Sequence, residues 1–221
     1  LVGLGRMCEP EDIFELVSNH FEVSNALTGK TILVNAGPTH EKIDPVRFIG
    51  NHSTGKMGKA IANTLADRGA NVELVLGPVD THGLSPKINI TKITSAQEMY
   101  EACQTIFKNC DAGILAAAVA DFTPTNYSNK KIKKGENDIL QLSMTRTPDV
   151  LASLGNSKKE HQVLAGFALE THDEINHAQK KLDKKNLDFI VLNSMNDEGA
   201  GFAKDTNKIT IIEKNGKKHT F

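Results

Sequence analysis

The chain has 221 residues, 39% hydrophobic and 24% charged; this sets aside a disordered or collagen-like polymer and leaves enough apolar material for a core without disulfides. Lys+Arg 26 against Asp+Glu 27 gives a formal charge of −1, so no bulk attraction to nucleic acid or an anionic membrane surface operates. No apolar run reaches the ~18 residues of a membrane span.

The three cysteines lie in no CxxC or Cys/His ligand spacing, and the eight histidines are scattered. A reducing cytoplasm is therefore expected and a zinc site is not. Cys103 and Cys110, seven apart in a helical pattern, are expected to share a packed face.

Residues 1–30 differ from the rest. Ile13, Phe14, Leu16, Val17 and Phe21 are spaced for one face of a short helix after Pro10, and Ser24 to Lys30 reads as a linker. This segment is expected to be the tail of something upstream, with 31–221 as one domain. Thr31 to Asn35 is a short apolar strand running into Ala36-Gly37-Pro38-Thr39. Met57 to Arg68 carries apolar residues at helical spacing and stops at Gly69. Asn71–Leu76 and Ile88–Ile93 read as strands. Ser95–Lys108 reads as a helix opened by a Ser95/Glu98 capping box. Ala112–Ala120 is apolar on both faces, as a central parallel strand must be. Val163–Ala168 and Asp188–Leu192 bracket a helix near His172–Lys185. Ile209–Ile212 and Lys217–Phe221 flank an Asn215-Gly216 turn. Strand and helix alternate, which predicts an α/β fold: a Rossmann-like, doubly wound, mostly parallel sheet with a C-terminal antiparallel hairpin.

Three features carry candidate chemistry. Gly50 to Gly58 nearly spells a phosphate loop, but Met57 stands where a magnesium-binding hydroxyl is needed and the segment does not follow its strand directly. Glycines at a helix N-terminus can still hold an anion, or simply make a tight turn. The same turn resembles that of short-chain reductases. Tyr127 and Lys130 come near the spacing of their proton-transfer pair, although in a polar loop rather than a helix. The Phe122–Gly135 stretch, with Lys130, Lys131, Lys133 and Lys134, follows the central strand where ligands of open α/β sheets sit. Lys181 and Lys185 lie one helical turn apart. Either lysine set is also compatible with a solvated surface.

Taken in order, Gly37-Pro-Thr-x-Glu41, Asp44-Pro-Val-Arg47 through Gly58, Ala116 to Asp121, Lys131-Ile-Lys-Lys134, Thr147-Pro-Asp149, Gly166 to Glu170 and Lys185-Asn-Leu-Asp188 resemble bacterial phosphopantothenoylcysteine synthetase. The resemblance covers about 31–221, and Gly5 to Ile13 resembles the end of the decarboxylase to which that enzyme is commonly fused. It implies a ligase that joins 4′-phosphopantothenate to cysteine at the expense of CTP, through an acyl-cytidylate, in coenzyme A biosynthesis. It implies Mg²⁺ carried with CTP, a homodimer with the substrate site near the subunit boundary, and FMN only in the decarboxylase portion, which is expected to be absent here. Residue by residue, it implies that Lys131 activates the phosphorus, that Asn51 donates to the acyl oxyanion and that Arg47 supports the same site. For the nucleotide it implies Asp121, Lys131, Pro148, Asp149, Val150, Leu151, Phe167, Lys181 and Lys185, with Ala117, Ala118, Gly37 and Gly55 around them. A nicotinamide reductase, an ATP-using ligase and a non-catalytic nucleotide-binding module stay open as alternatives.

Overall fold

The computed structural model of the chain describes residues 9–14, 25–133, 139–170, 173–194 and 208–221. Strands β1 (Thr31–Ala36), β4 (Asn71–Leu76), β5 (Asn89–Lys92), β6 (Ala112–Leu115), β9 (Val163–Glu170), β10 (Phe189–Ser194), β11 (Ile209–Glu213) and β12 (Lys218–Thr220) form one sheet. Their order is β12-β11-β10-β9-β6-β1-β4-β5. Every neighbouring pair from β10 to β5 is parallel, and β11 and β12 add an antiparallel edge. The predicted Rossmann-like architecture is the one observed.

Parallel strands need helical crossovers. Among the described residues these are α1 (Lys56–Asp67), α2 (Ala96–Phe107), α3 (Val150–Ser157) and α4 (Glu174–Lys184). β1 shows why the sheet must be covered on both faces. Ile32, Val34 and Ala36 pack with Ala62 and Ala66 of α1, whereas Leu33 joins Met99, Cys103 and Phe107 of α2, Leu154 of α3 and Leu182 of α4. Truncating any of the fully buried leucines to alanine removes about 2–5 kcal/mol. Cys103 and Cys110 do share the second of these faces. The Ser95/Glu98 capping box forms as predicted.

Several boundaries move. The apolar run 112–120 is a strand only to Leu115; beyond that, β1 has turned at Gly37 (φ +84°), and the pairing continues only as an isolated parallel bridge between Pro38 and Ala118. The helix placed near 172–185 is Glu174–Lys184, after Asp173 in the left-handed region, and the strand placed at 88–93 is Asn89–Lys92. Two hairpins were not anticipated: β2 (His40–Lys42) with β3 (Phe48–Gly50), and β7 (Phe122–Pro124) with β8 (Met144–Arg146). Residues 10–14 are helical, with Ile13 and Phe14 exposed. Leu16, Val17, Phe21 and Cys8 lie outside the described residues. Leu27 packs against the α1 side of the core, and its amide bonds to the Arg68 carbonyl.

Candidate functional site

Chain order runs outward from β1 in both directions: β4 and β5 on one side, β6, β9 and β10 on the other. The switch therefore falls between β1 and β6, and a crevice opens beyond their carboxyl ends. A cleft of about 470 Å³ occupies it. Asn35 of β1, Leu115 of β6 and Phe167 of β9 form its floor. Asp121 to Phe122 and Arg146 to Leu151 form one wall, and Lys181 and Lys185 of α4 the other.

The segment after β6 is held open by a set of specific bonds. Buried Asn35 accepts the Ala117 N–H through Oδ1 (2.9 Å), the Gly37 carbonyl accepts the Ala118 N–H (2.9 Å), and Thr39 Oγ1 accepts the Ala120 N–H (3.0 Å). Asn51 donates its Nδ2 to the carbonyls of Val119 (3.0 Å) and Ala118 (3.4 Å). A buried backbone that has left the sheet must find partners of this kind. Glu41, almost fully buried, accepts the Ala96 N–H at the start of α2 (2.8 Å). The Gly37-Pro-Thr-x-Glu41 motif is thus a scaffold for the loop rather than a lining of the cleft.

Gly55 caps α1 in the left-handed region (φ +70°) without a side-chain cap bond and packs on Gly37; one turn later Gly58 lets the helix close on β1, where a Cβ would stand 2.4 Å from that of Ala36. These contacts account for Gly55 and Gly58 of the segment that mimics a phosphate loop.

Asp149 caps α3 by accepting the Ala152 N–H (3.0 Å) and pairs with Lys185 (2.9 Å). Burial pushes its carboxyl up, but the Ala152 N–H and the Lys185 ammonium outweigh this and hold it below the usual aspartate value. Lys181 donates to the Phe167 carbonyl (2.7 Å). Phe167 is half-buried and lines the cleft.

Of the residues singled out in the sequence, Asp121, Pro148, Asp149, Val150, Leu151, Phe167, Lys181, Lys185 and Ala117 come together on the cleft. Asn51, Gly37 and Gly55 stand behind the 116–120 loop, of which Ala118 is a part, and none of the four lines the cleft. Lys131 is exposed and Arg47 half-buried, and neither lines the cleft. Tyr127 lines a separate groove with His40, Val46, Arg47 and Phe48, away from the α1 turn that a reductase would use. Sequence reasoning missed Asn35 and Arg146 as lining residues, and took in Phe122 only as the start of the basic stretch; Arg146 directly precedes the Thr147-Pro-Asp149 motif, and that adjacency was the available signal. Among the described residues no group of three His, Cys, Asp or Glu side chains could hold a metal, and no helix is long and apolar enough to cross a membrane.

The sequence matches the family of DNA/pantothenate metabolism flavoprotein C-terminal domains over residues 27–221. The chain belongs to that family. The coenzyme A biosynthesis bifunctional protein CoaBC of Bacillus subtilis (strain 168) is 47% identical over 219 residues, covering 98% of this chain and 53% of that protein. A cysteine/cysteine sulfinic acid decarboxylase of an unknown prokaryotic organism is 52% identical over 218 residues, covering 97% of this chain and 60% of its own length. The chain thus spans a little over half of these relatives. The crystal structure of the C-terminal domain of a CoaBC protein superposes with a TM-score of 0.75 at 40% identity, over 90% of this chain and 88% of that one.

Proposed function

We propose that the domain is a phosphopantothenate–cysteine ligase of coenzyme A biosynthesis that uses CTP. The observation that carries this is the cleft at the sheet's switch point, where an aromatic face (Phe167), a capped helix N-terminus (Asp149 to Leu151) and cations (Lys181, Lys185) converge from separate segments. This combination suits a nucleoside triphosphate: an apolar surface for the base, N–H groups and ammonium ions for phosphate.

In the first step the carboxylate of 4′-phosphopantothenate attacks the α-phosphorus of CTP. An acyl–O–P bond forms, the α–β bridge breaks, and pyrophosphate leaves. Charge builds around phosphorus, so cations must lie close; Lys131 supplies one as its segment approaches the cleft, and Lys181 and Lys185 hold the phosphates. Magnesium arrives on the triphosphate as part of the substrate. In the second step the cysteine amine attacks the acyl carbon, CMP leaves and the amine proton is lost. Asn51 transfers an amide N–H from the Val119 carbonyl to the developing oxyanion, and Arg47 supports this side of the site. The enzyme acts in the cytoplasm, and its substrates are small molecules. Val46, Phe48 and Tyr127, about half exposed or more beside the second groove, support that groove as the boundary of a homodimer. Residues 1–30 are assigned to the tail of an upstream decarboxylase and its linker.

The test is pyrophosphate release with 4′-phosphopantothenate and Mg²⁺, comparing CTP with ATP, with and without cysteine. CTP-dependent release, with CMP formed only on addition of cysteine, is expected; silence with both nucleotides overturns the assignment. Lys131→Gln should abolish release with the fold intact. Asn51→Asp should slow the amine step more than activation, because a carboxylate repels the oxyanion.

A further inference from the structure

The Asp44 side chain has no exposed surface, and a buried carboxylate is costly unless its oxygens are satisfied. Oδ1 accepts the N–H groups of Val46 (2.8 Å) and Arg47 (2.9 Å), a local turn that needs only that one oxygen. Oδ2 points elsewhere. It accepts the N–H of Ile132, 88 positions away, at 3.1 Å, and takes the Arg47 guanidinium at 2.8 Å. The same guanidinium nitrogen donates to the Ile132 carbonyl at 2.6 Å. Both polar groups of one peptide residue are therefore gripped, its N–H by Asp44 and its C=O by Arg47. Just upstream, the Ser128 N–H bonds to the Ile43 carbonyl (3.1 Å) and the Ser128 hydroxyl to the Lys130 carbonyl (2.6 Å).

Residues 128–133 belong to no helix or strand, so their backbone has no ladder to fix it. The last four residues, 130–133, are exposed or half-exposed and include three lysines that repel one another, and would otherwise have no defined place. We propose that Asp44, acting with Arg47, is a positioning residue for the lysine segment: it clamps the main chain at Ile132 and so determines where Lys131 and Lys133 stand relative to the cleft. For its kinetic consequence this rests on the ligase assignment, since Lys131 is there the cation of the activation step. Displacing such a group by about an ångström costs on the order of a hundredfold in rate.

Asp44→Asn separates the turn from the clamp. The amide oxygen can keep the Val46 and Arg47 bonds, while the new NH₂ faces two donors, the Ile132 N–H and the guanidinium. Two readouts are taken on the full chain. The first is limited trypsinolysis of the native protein without substrate: cleavage after Lys130, Lys131 and Lys133 should accelerate about tenfold or more, with cleavage after exposed Lys87 and Lys92 unchanged and the urea midpoint preserved. The second is pyrophosphate release, where kcat should fall at least roughly tenfold while KM for CTP stays within about threefold. Wild-type cleavage rates at the three lysines overturn the clamp, and accelerated cleavage with unchanged kcat overturns its role in positioning Lys131. If the wild type itself releases no pyrophosphate, the ligase assignment fails, and the proteolysis result still decides the clamp. Should Asp44→Asn not fold, Arg47→Met, which removes the bond to the Ile132 carbonyl and keeps the Asp44 turn, is read by the proteolysis criterion: wild-type cleavage rates at the three lysines overturn the clamp.

Discussion

The Asp149 carboxylate stands 2.9 Å from the Lys185 ammonium and bonds the N–H of Ala152, so one side chain both caps α3 and ties it to the end of α4. The two contributions differ in size. The ion pair is half exposed on the Asp149 side and contributes little to stability, whereas loss of an N-cap costs about 1 kcal/mol. Asparagine caps as well as aspartate but carries no charge. Asp149→Asn should therefore be nearly neutral in urea denaturation, and Asp149→Ala should be less stable than it by about 1 kcal/mol. Equal midpoints for the two variants would mean that the cap contributes nothing here.

What the sequence made legible follows from how local each signal is. The capping box, the Gly69 stop, the both-face-apolar strands and the Asn215-Gly216 turn are settled within a few residues, and all are present. The strand expected through Ala120 fails because its end depends on β1, about 80 residues earlier, turning at Gly37. The β2–β3 and β7–β8 hairpins have three-residue strands, too short for any alternation to register. The cleft-lining residues from Asp121 to Lys185 were legible because their motifs are contiguous. Asn35 and Asp44 were not seen as organisers because their partners, Ala117 and Ile132, are more than 80 residues away.

Arg146, exposed at the end of β8, brings a guanidinium to the cleft wall beside Pro148 and Asp149. Across the cleft stand Lys181 and Lys185, which Arg146 joins as a third cation. Arg146 is thus placed to take phosphate or carboxylate from a ligand, a charge-assisted contact of about 1.5–3 kcal/mol. Arg146→Met should weaken CTP binding about tenfold or more in calorimetry and leave the denaturation midpoint unchanged. An unchanged affinity would remove Arg146 from the site.

Cys103 and Cys110 are both buried. Burial pushes the Cys103 thiol up to about 12, with the Asn35 amide offsetting only part of this, and the Cys110 thiol up to about 11, helped by Glu73 and Asp111. The reactive species is the thiolate, so at pH 8 both sites should resist iodoacetamide in the native protein and react quickly in urea, as read by peptide mass spectrometry. Rapid native labelling of Cys103 would require that α2 open readily from the sheet.

His40 stacks on Phe48 with ring centroids 3.7 Å apart at the edge of the second groove. Burial lowers its imidazole below the ordinary 6.5, an effect the Glu41 carboxylate only partly offsets. The sign follows from linkage. Below 6.5 the unfolded chain takes up a proton at this position that the folded chain resists, so its contribution is complete above that pH and is lost as pH falls through the folded value. The carboxylates of Asp44, Asp111 and Asp149 are held below their ordinary 3.8, so they lose theirs only further down. Stability measured by urea should therefore decline between pH 7 and pH 5, and His40→Gln, which cannot take up the proton, should make that decline shallower while leaving the loss below 3.8 in place. A variant with the wild-type slope between pH 7 and pH 5 would remove His40 as the source of the decline.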